Sequence, residues 1–135
     1  MQKRLLMDAN RYTAAAQFRA ELRRFLRRSE DCARRLGITP RQHLLLLQIG
    51  GAPDGTTTVS DLVGTLALTQ SAVTELVQRA EAAGLVERAQ SPRDGRVVDL
   101  TLTKLGEEKL AAVHNALGPE RVQLRGVIDA LDGTD

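Results

Sequence analysis

The sequence predicts a mainly helical fold carrying one small β-hairpin. Three observations lead there. Apolar residues recur at three- and four-residue spacing through most of the chain, cap residues and glycines punctuate those runs, and one stretch, Leu85 to Leu102, switches to period-two alternation around Ser91-Pro92-Arg93-Asp94-Gly95.

Each element has its own signal. From about Thr13 to Leu36, Phe18, Leu22, Phe25, Cys32, Ala33 and Leu36 fall at helical spacing, which predicts a long amphipathic first helix ended by Gly37. Thr39-Pro40-Arg41-Gln42 then supplies an N-cap, a proline at the first helical position and a capping-box glutamine for a second helix running to Gly50-Gly51. Gly51 to Thr57 is turn-rich, and Thr58-Val59-Ser60-Asp61 opens a short third helix carrying Leu62, Val63 and Leu66. Thr69 caps a fourth helix with Val73, Leu76, Val77 and Ala80 on one stripe, and Gly84 closes it. Leu85 to Ala89 and Arg96 to Leu102 form the hairpin. Thr103 caps a fifth helix through about Leu117, Gly118-Pro119 is expected to break the chain, and Leu124, Val127, Ile128 and Leu131 predict a short sixth.

Composition excludes several classes. A chain of 135 residues with 42% hydrophobic content fits one domain, 1–135, with enough apolar surface for a core. The longest aliphatic run, Leu44 to Leu47, is far below the ~18 residues of a membrane span. Met1 to Asn10 lacks the apolar stretch of a secretory signal, so a cytoplasmic address is expected. Cys32 is the only cysteine, and His43 and His114 are the only histidines, which leaves no multi-thiolate metal site and no expected cofactor. With 2% aromatic residues, stacking of single-stranded bases is excluded as a binding mode. No Gly-rich phosphate loop or recognisable catalytic constellation is present, so no enzymatic activity is expected. A net charge of +2 is only mildly basic, and partner choice turns on where the charges sit.

Two helices joined by a few residues and followed at once by a hairpin give the order of a winged helix-turn-helix. With the apolar stripe of the fourth helix turned inward, Ser71, Thr74, Glu75, Gln78 and Arg79 fall on its outward arc. Those groups suit base edges in a major groove, where Gln pairs with adenine, Glu accepts from cytosine and Arg forks onto guanine. Arg93 and Arg96 flank Asp94-Gly95 at the hairpin tip, where a narrow turn presents guanidinium groups to the negative potential of a minor groove. The alternative role for Asp94 is to brace the turn by pairing with Arg96 or Arg79.

The runs Thr69 to Arg79, Gly84-Leu85-Val86, Pro92 to Arg96 and Leu100 to Gly106, together with Leu36 to Gln42, resemble the MarR family of bacterial regulators over nearly the whole chain. The resemblance implies a homodimer joined by its terminal helices (about 1–36 and 104–135), a DNA-binding lobe (about 39–102), and a palindromic operator in double-stranded DNA, with repression as the usual outcome. It carries DNA contact to Gln70, Ser71, Thr74, Glu75 and Gln78, and wing roles to Asp94 and Arg96. The chain departs from the family pattern at Ser91, where an acidic residue is usual, and at Gly95, where a basic one is common; Arg93 is then expected to supply the wing's second charge.

Members of that family often release DNA on binding a small anionic or phenolic compound. Arg19, Arg23 and His43 are the candidate ligand groups, because guanidinium and imidazole suit a small carboxylate. Cys32 lies on the apolar stripe near the end of helix one, whereas the peroxide-sensing cysteine of some relatives lies near its beginning; Cys32 therefore reads as a core thiol. The competing class is a winged helix used as a protein-interaction module, for which apolar or aromatic anchors on the exposed arc are expected.

Overall fold

The computed structural model describes residues 2–132, with side chains from residue 8 onward. Met1 and the last residues of the Leu131 to Asp135 run lie outside it. The elements are α1 (Gln2–Arg35), α2 (Pro40–Gly50), a 3-10 turn (Pro53–Gly55), α3 (Val59–Leu66), α4 (Gln70–Ala82), β1 (Val86–Gln90), β2 (Val98–Leu102), α5 (Lys104–Ala116) and α6 (Gly118–Asp132). This is the mainly helical winged architecture that the periodicity predicts.

The helix starts follow from local chemistry. Thr39 Oγ1 accepts the Gln42 N–H at 3.1 Å while Gln42 Oε1 accepts the Thr39 N–H at 3.0 Å, closing the capping box of α2. Thr58 Oγ1 accepts the Asp61 N–H and Thr69 Oγ1 accepts the Ala72 N–H, each at 3.1 Å. Each such cap is worth about 1 kcal/mol, because it satisfies a first-turn N–H that has no intrahelical acceptor. Gly84 adopts φ +76° and reverses the chain after α4, a conformation that L side chains disfavour.

The chain divides into two compact units. In one, Ala33–Val113, the side chains of Leu45, Leu46, Ile49, Leu62, Val73, Val77, Val86 and Leu100 are almost fully buried. At about 1.5 to 3 kcal/mol per buried aliphatic side chain, these residues hold α2, α3, α4 and the hairpin together. The hairpin is antiparallel, pairing Val86 with Leu102 through Gln90 with Val98. The middle of β2 is tied to the segment before α3: Leu100 and Thr57 exchange both backbone hydrogen bonds, at 2.8 and 3.2 Å. The Gly51 to Thr57 stretch is therefore ordered at both ends, by the 3-10 turn and by this bridge. Gly106, in the first turn of α5, packs directly on the Leu85 carbonyl.

The other unit comprises α1 as far as Cys32, the end of α5 and all of α6. Ala14, Glu21, Cys32 and Leu117 are buried there, with Glu21 paired to Arg24 at 2.8 Å. Tyr12, Leu26, Val122 and Ile128 are exposed apolar side chains of the same unit.

Several element boundaries differ from the sequence reading: β1 is shifted by one residue to Val86–Gln90, and α6, expected to be short, runs 15 residues because its helical spacing extends back to Gly118. Helix α1 begins at Gln2 rather than near Thr13, since neither glycine nor proline interrupts the residues between. Strand β2 begins at Val98 because Arg96 and Val97 belong to the turn, where the Val97 N–H donates to the Asp94 carbonyl. Gly118-Pro119 does not open a loop: α6 starts at Gly118, only Leu117 separates it from α5, and proline is compatible with a first helical turn.

Candidate nucleic-acid interface

Helix α4 buries Val73, Val77 and Ala80, with Leu76 half-buried, which fixes the opposite face outward. Gln70, Ser71, Glu75, Gln78 and Arg79 are exposed on that face, and Thr74 is half-buried at its edge. The surface is polar throughout, with hydroxyl, amide, carboxylate and guanidinium groups and no aromatic or aliphatic anchor. Glu75 and Arg79 are not independent, because Arg79 Nη2 lies 2.6 Å from Glu75 Oε1 across one helical turn.

The second part of the face is the wing tip. Ser91 Oγ accepts the Arg93 N–H at 3.2 Å, Asp94 Oδ1 accepts the Arg96 N–H at 3.0 Å, and the Ser91 N–H donates to the Val97 carbonyl at 2.9 Å. Asp94 therefore braces the turn through a backbone amide, not by pairing with the guanidinium of Arg96 or Arg79. Its role is an Asx turn, in which a short carboxylate replaces a backbone acceptor. The guanidinium groups of Arg93 and Arg96 are exposed and have no carboxylate partner among the described residues. Ser91, the departure from the expected acidic residue, serves as a neutral turn acceptor.

A groove of about 400 Å3 borders α4 on the side of α2. Arg41, Gln42, Ala72, Glu75, Leu76 and Arg79 are among its lining residues. The sequence marks Thr39 to Gln42 as a helix start and as part of the family resemblance but gives Arg41 no surface role; the approach of α2 to α4 that forms the groove is tertiary and has no local sequence signal.

The candidate ligand residues lie in separate units. Arg19 and Arg23 are exposed one turn apart on α1. His43 is buried on α2, and burial lowers its pKa from the usual imidazole value by disfavouring the charged ring. Cys32 is a buried free thiol. Among the described residues no group of three or more His, Cys, Asp or Glu gathers to hold a metal ion, and no helix is long and apolar enough to cross a membrane.

With this geometry in view, comparison with known proteins is informative. A model described as the MarR family matches residues 36–97, the segment from the end of α1 to the wing tip. The HTH-type transcriptional repressor MdtR of Bacillus subtilis is 34% identical over 77 residues, 57% of this chain. That match spans about half of the relative's length, 48%. Among solved structures, a mutant of MarR from E. coli complexed with operator DNA has a TM-score of 0.67 at 26% identity, covering 78% of this chain and 75% of that one. MepR of S. aureus, solved as a mutant bound to an oligodeoxyribonucleotide, has a TM-score of 0.69 at 20% identity over 83% of this chain and 81% of its own. YusO of Bacillus subtilis has a TM-score of 0.66 at 22% identity over 100% and 99%. The likeness to MepR and YusO is one of fold.

Proposed function

We propose that this chain, whose residues 36–97 match the MarR family model, is a MarR-family transcriptional regulator that reads double-stranded DNA with the exposed face of α4 and the wing. The observation that carries the proposal is the pairing of an all-polar helix face with an ordered turn bearing two partnerless arginines. A recognition helix needs donors and acceptors for base edges, and a wing needs positive charge for the adjoining groove. Both are present within one compact unit. Gln70, Ser71, Thr74, Glu75, Gln78 and Arg79 take the major-groove role in this reading. Arg93 and Arg96 take the minor-groove role, with Asp94 shaping the turn.

A homodimer on a palindromic operator completes the reading. One such module makes few base contacts, and two related by a twofold axis read half-sites about one turn apart. Tyr12 at 72% and Val122 at 73% exposure, with Leu26 and Ile128, give the unit of α1 and α6 an apolar surface for a second copy to cover. The terminal helices (about 1–36 and 104–135) then serve dimerisation, and residues 39–102 serve DNA. Repression of transcription, with release by a small anionic or phenolic ligand held by Arg19, Arg23 or His43, extends the same reading by analogy with the family.

The test is selection of bound duplexes from a random DNA pool at near-physiological salt, followed by sequencing. Enrichment of an inverted repeat with half-sites about one helical turn apart is the expected result. A folded sample that enriches nothing removes the DNA reading and leaves a protein-interaction module in its place.

A further inference from the structure

The α2–α4 groove holds a charge that the base-reading face does not account for. Of its charged lining residues, Arg79 and Glu75 form an ion pair and leave no net charge between them, so Arg41 sets the local charge at +1. Its neighbours Thr39 and Gln42 are committed to each other in the capping box. Arg41 is exposed, and among the described residues it has no carboxylate partner. It lies in the first turn of an 11-residue helix whose buried residues anchor it, so the position of its Cα is well defined.

A helix about 10–12 Å across that enters a major groove about 12 Å wide has a phosphate backbone along each flank. The α2–α4 groove lies on one flank of α4, sharing Glu75 and Arg79 with the recognition face. From this juxtaposition we infer that Arg41 binds a backbone phosphodiester of the duplex and so sets the register of α4 in the major groove. The inference rests on the DNA-binding reading above. Arg41 is a positioning residue: it contributes affinity that is independent of base sequence and fixes which base pairs the α4 side chains meet.

Binding of the full-length protein, wild type, Arg41→Ala and Arg41→Lys, is measured against salt concentration on two probes, a duplex enriched from the random pool and a scrambled duplex of equal length. For Arg41→Ala, which removes one phosphate contact from each protomer of the dimer, the slope of log affinity against log salt becomes shallower by about two on both probes. The wild-type advantage shrinks roughly tenfold between about 50 and about 200 mM salt. Arg41→Lys keeps the charge and retains the wild-type slope. An unchanged slope for Arg41→Ala, a loss confined to the enriched duplex, or failure of lysine to retain the slope overturns the assignment while wild-type binding leaves the broader reading intact. A wild-type protein that binds neither probe overturns both.

Discussion

Arg79 and Glu75 form a 2.6 Å ion pair on the exposed face of α4, so the carboxylate and the guanidinium that both suit base edges are bound first to each other. Both side chains are largely exposed, and such a pair is worth only a fraction of a kcal/mol, so DNA competes readily for either member. Glu75→Gln removes the negative charge and releases Arg79. The expected outcome is tighter binding to scrambled duplex with a steeper salt dependence, together with a shift of base preference from cytosine toward adenine at one operator position. Affinity titrations and a repeated duplex selection check it; an unchanged preference removes Glu75 from the base contacts.

At the wing, charge and geometry make opposite predictions for Asp94. Electrostatics alone says that Asp94→Ala, by deleting a negative charge near phosphates, strengthens binding. The structure says that it weakens binding, because Asp94 Oδ1 holds the Arg96 amide that orients the turn. We expect weakening for Asp94→Ala, and for Arg96→Ala a loss of about 1 to 3 kcal/mol with a shallower salt slope. Equilibrium titration separates these outcomes, and a tighter-binding Asp94→Ala protein refutes the positioning role.

Much of this exposed surface was legible in the sequence because it rests on local rules. Thr39, Thr58 and Thr69 announce their helices through hydrogen bonds reaching only three residues ahead, and the spacing of Val73, Val77 and Ala80 determines which α4 residues face outward. The Glu75–Arg79 pair was also legible, since acid and base four residues apart on a helix are neighbours. The groove containing Arg41 was not, because it exists only where α2 meets α4. Nor was the true partner of Asp94, since a carboxylate in a turn has backbone amides and guanidinium groups within similar reach, and only the turn geometry selects between them. The α5–α6 junction misled for a related reason: Gly-Pro reads as a breaker in isolation, yet the same pair fits the first turn of a helix.

Packing at the root of the wing gives a stability prediction. A Cβ built on Gly106 comes 2.1 Å from the Leu85 carbonyl oxygen, far inside contact distance. That oxygen cannot easily retreat, because it accepts the Thr103 N–H at 3.1 Å. Gly106→Ala is expected to cost about 3 kcal/mol, at the upper end of overpacking effects. Denaturant unfolding measures it, and a loss below about 0.5 kcal/mol shows that the α5 start adjusts freely.

His43 links stability to pH. Burial lowers its pKa in the folded protein, so between the ordinary imidazole value and the lower folded value the unfolded chain binds more protons. Stability therefore rises with pH across that window and is lost as pH falls through it. Unfolding midpoints at about pH 7.5 and about pH 5 should differ more for the wild type than for His43→Gln, which removes the titration. Equal pH dependence in the two proteins excludes His43 as its source.

The bridge between Thr57 and Leu100 pins the wing at the middle of β2, so only a short arm extends beyond it to the arginine tip. From Leu100 to the strand end at Val98 the arm is two extended residues, about 7 Å. A tilt on the order of 10° at the bridge thus moves the Val98 end by only roughly 1 Å, so the bridge steadies the turn that bears Arg93 and Arg96. A substitution that breaks this bridge, such as Thr57→Pro, which removes the Thr57 N–H, is therefore expected to loosen the wing without altering any residue proposed to meet the duplex.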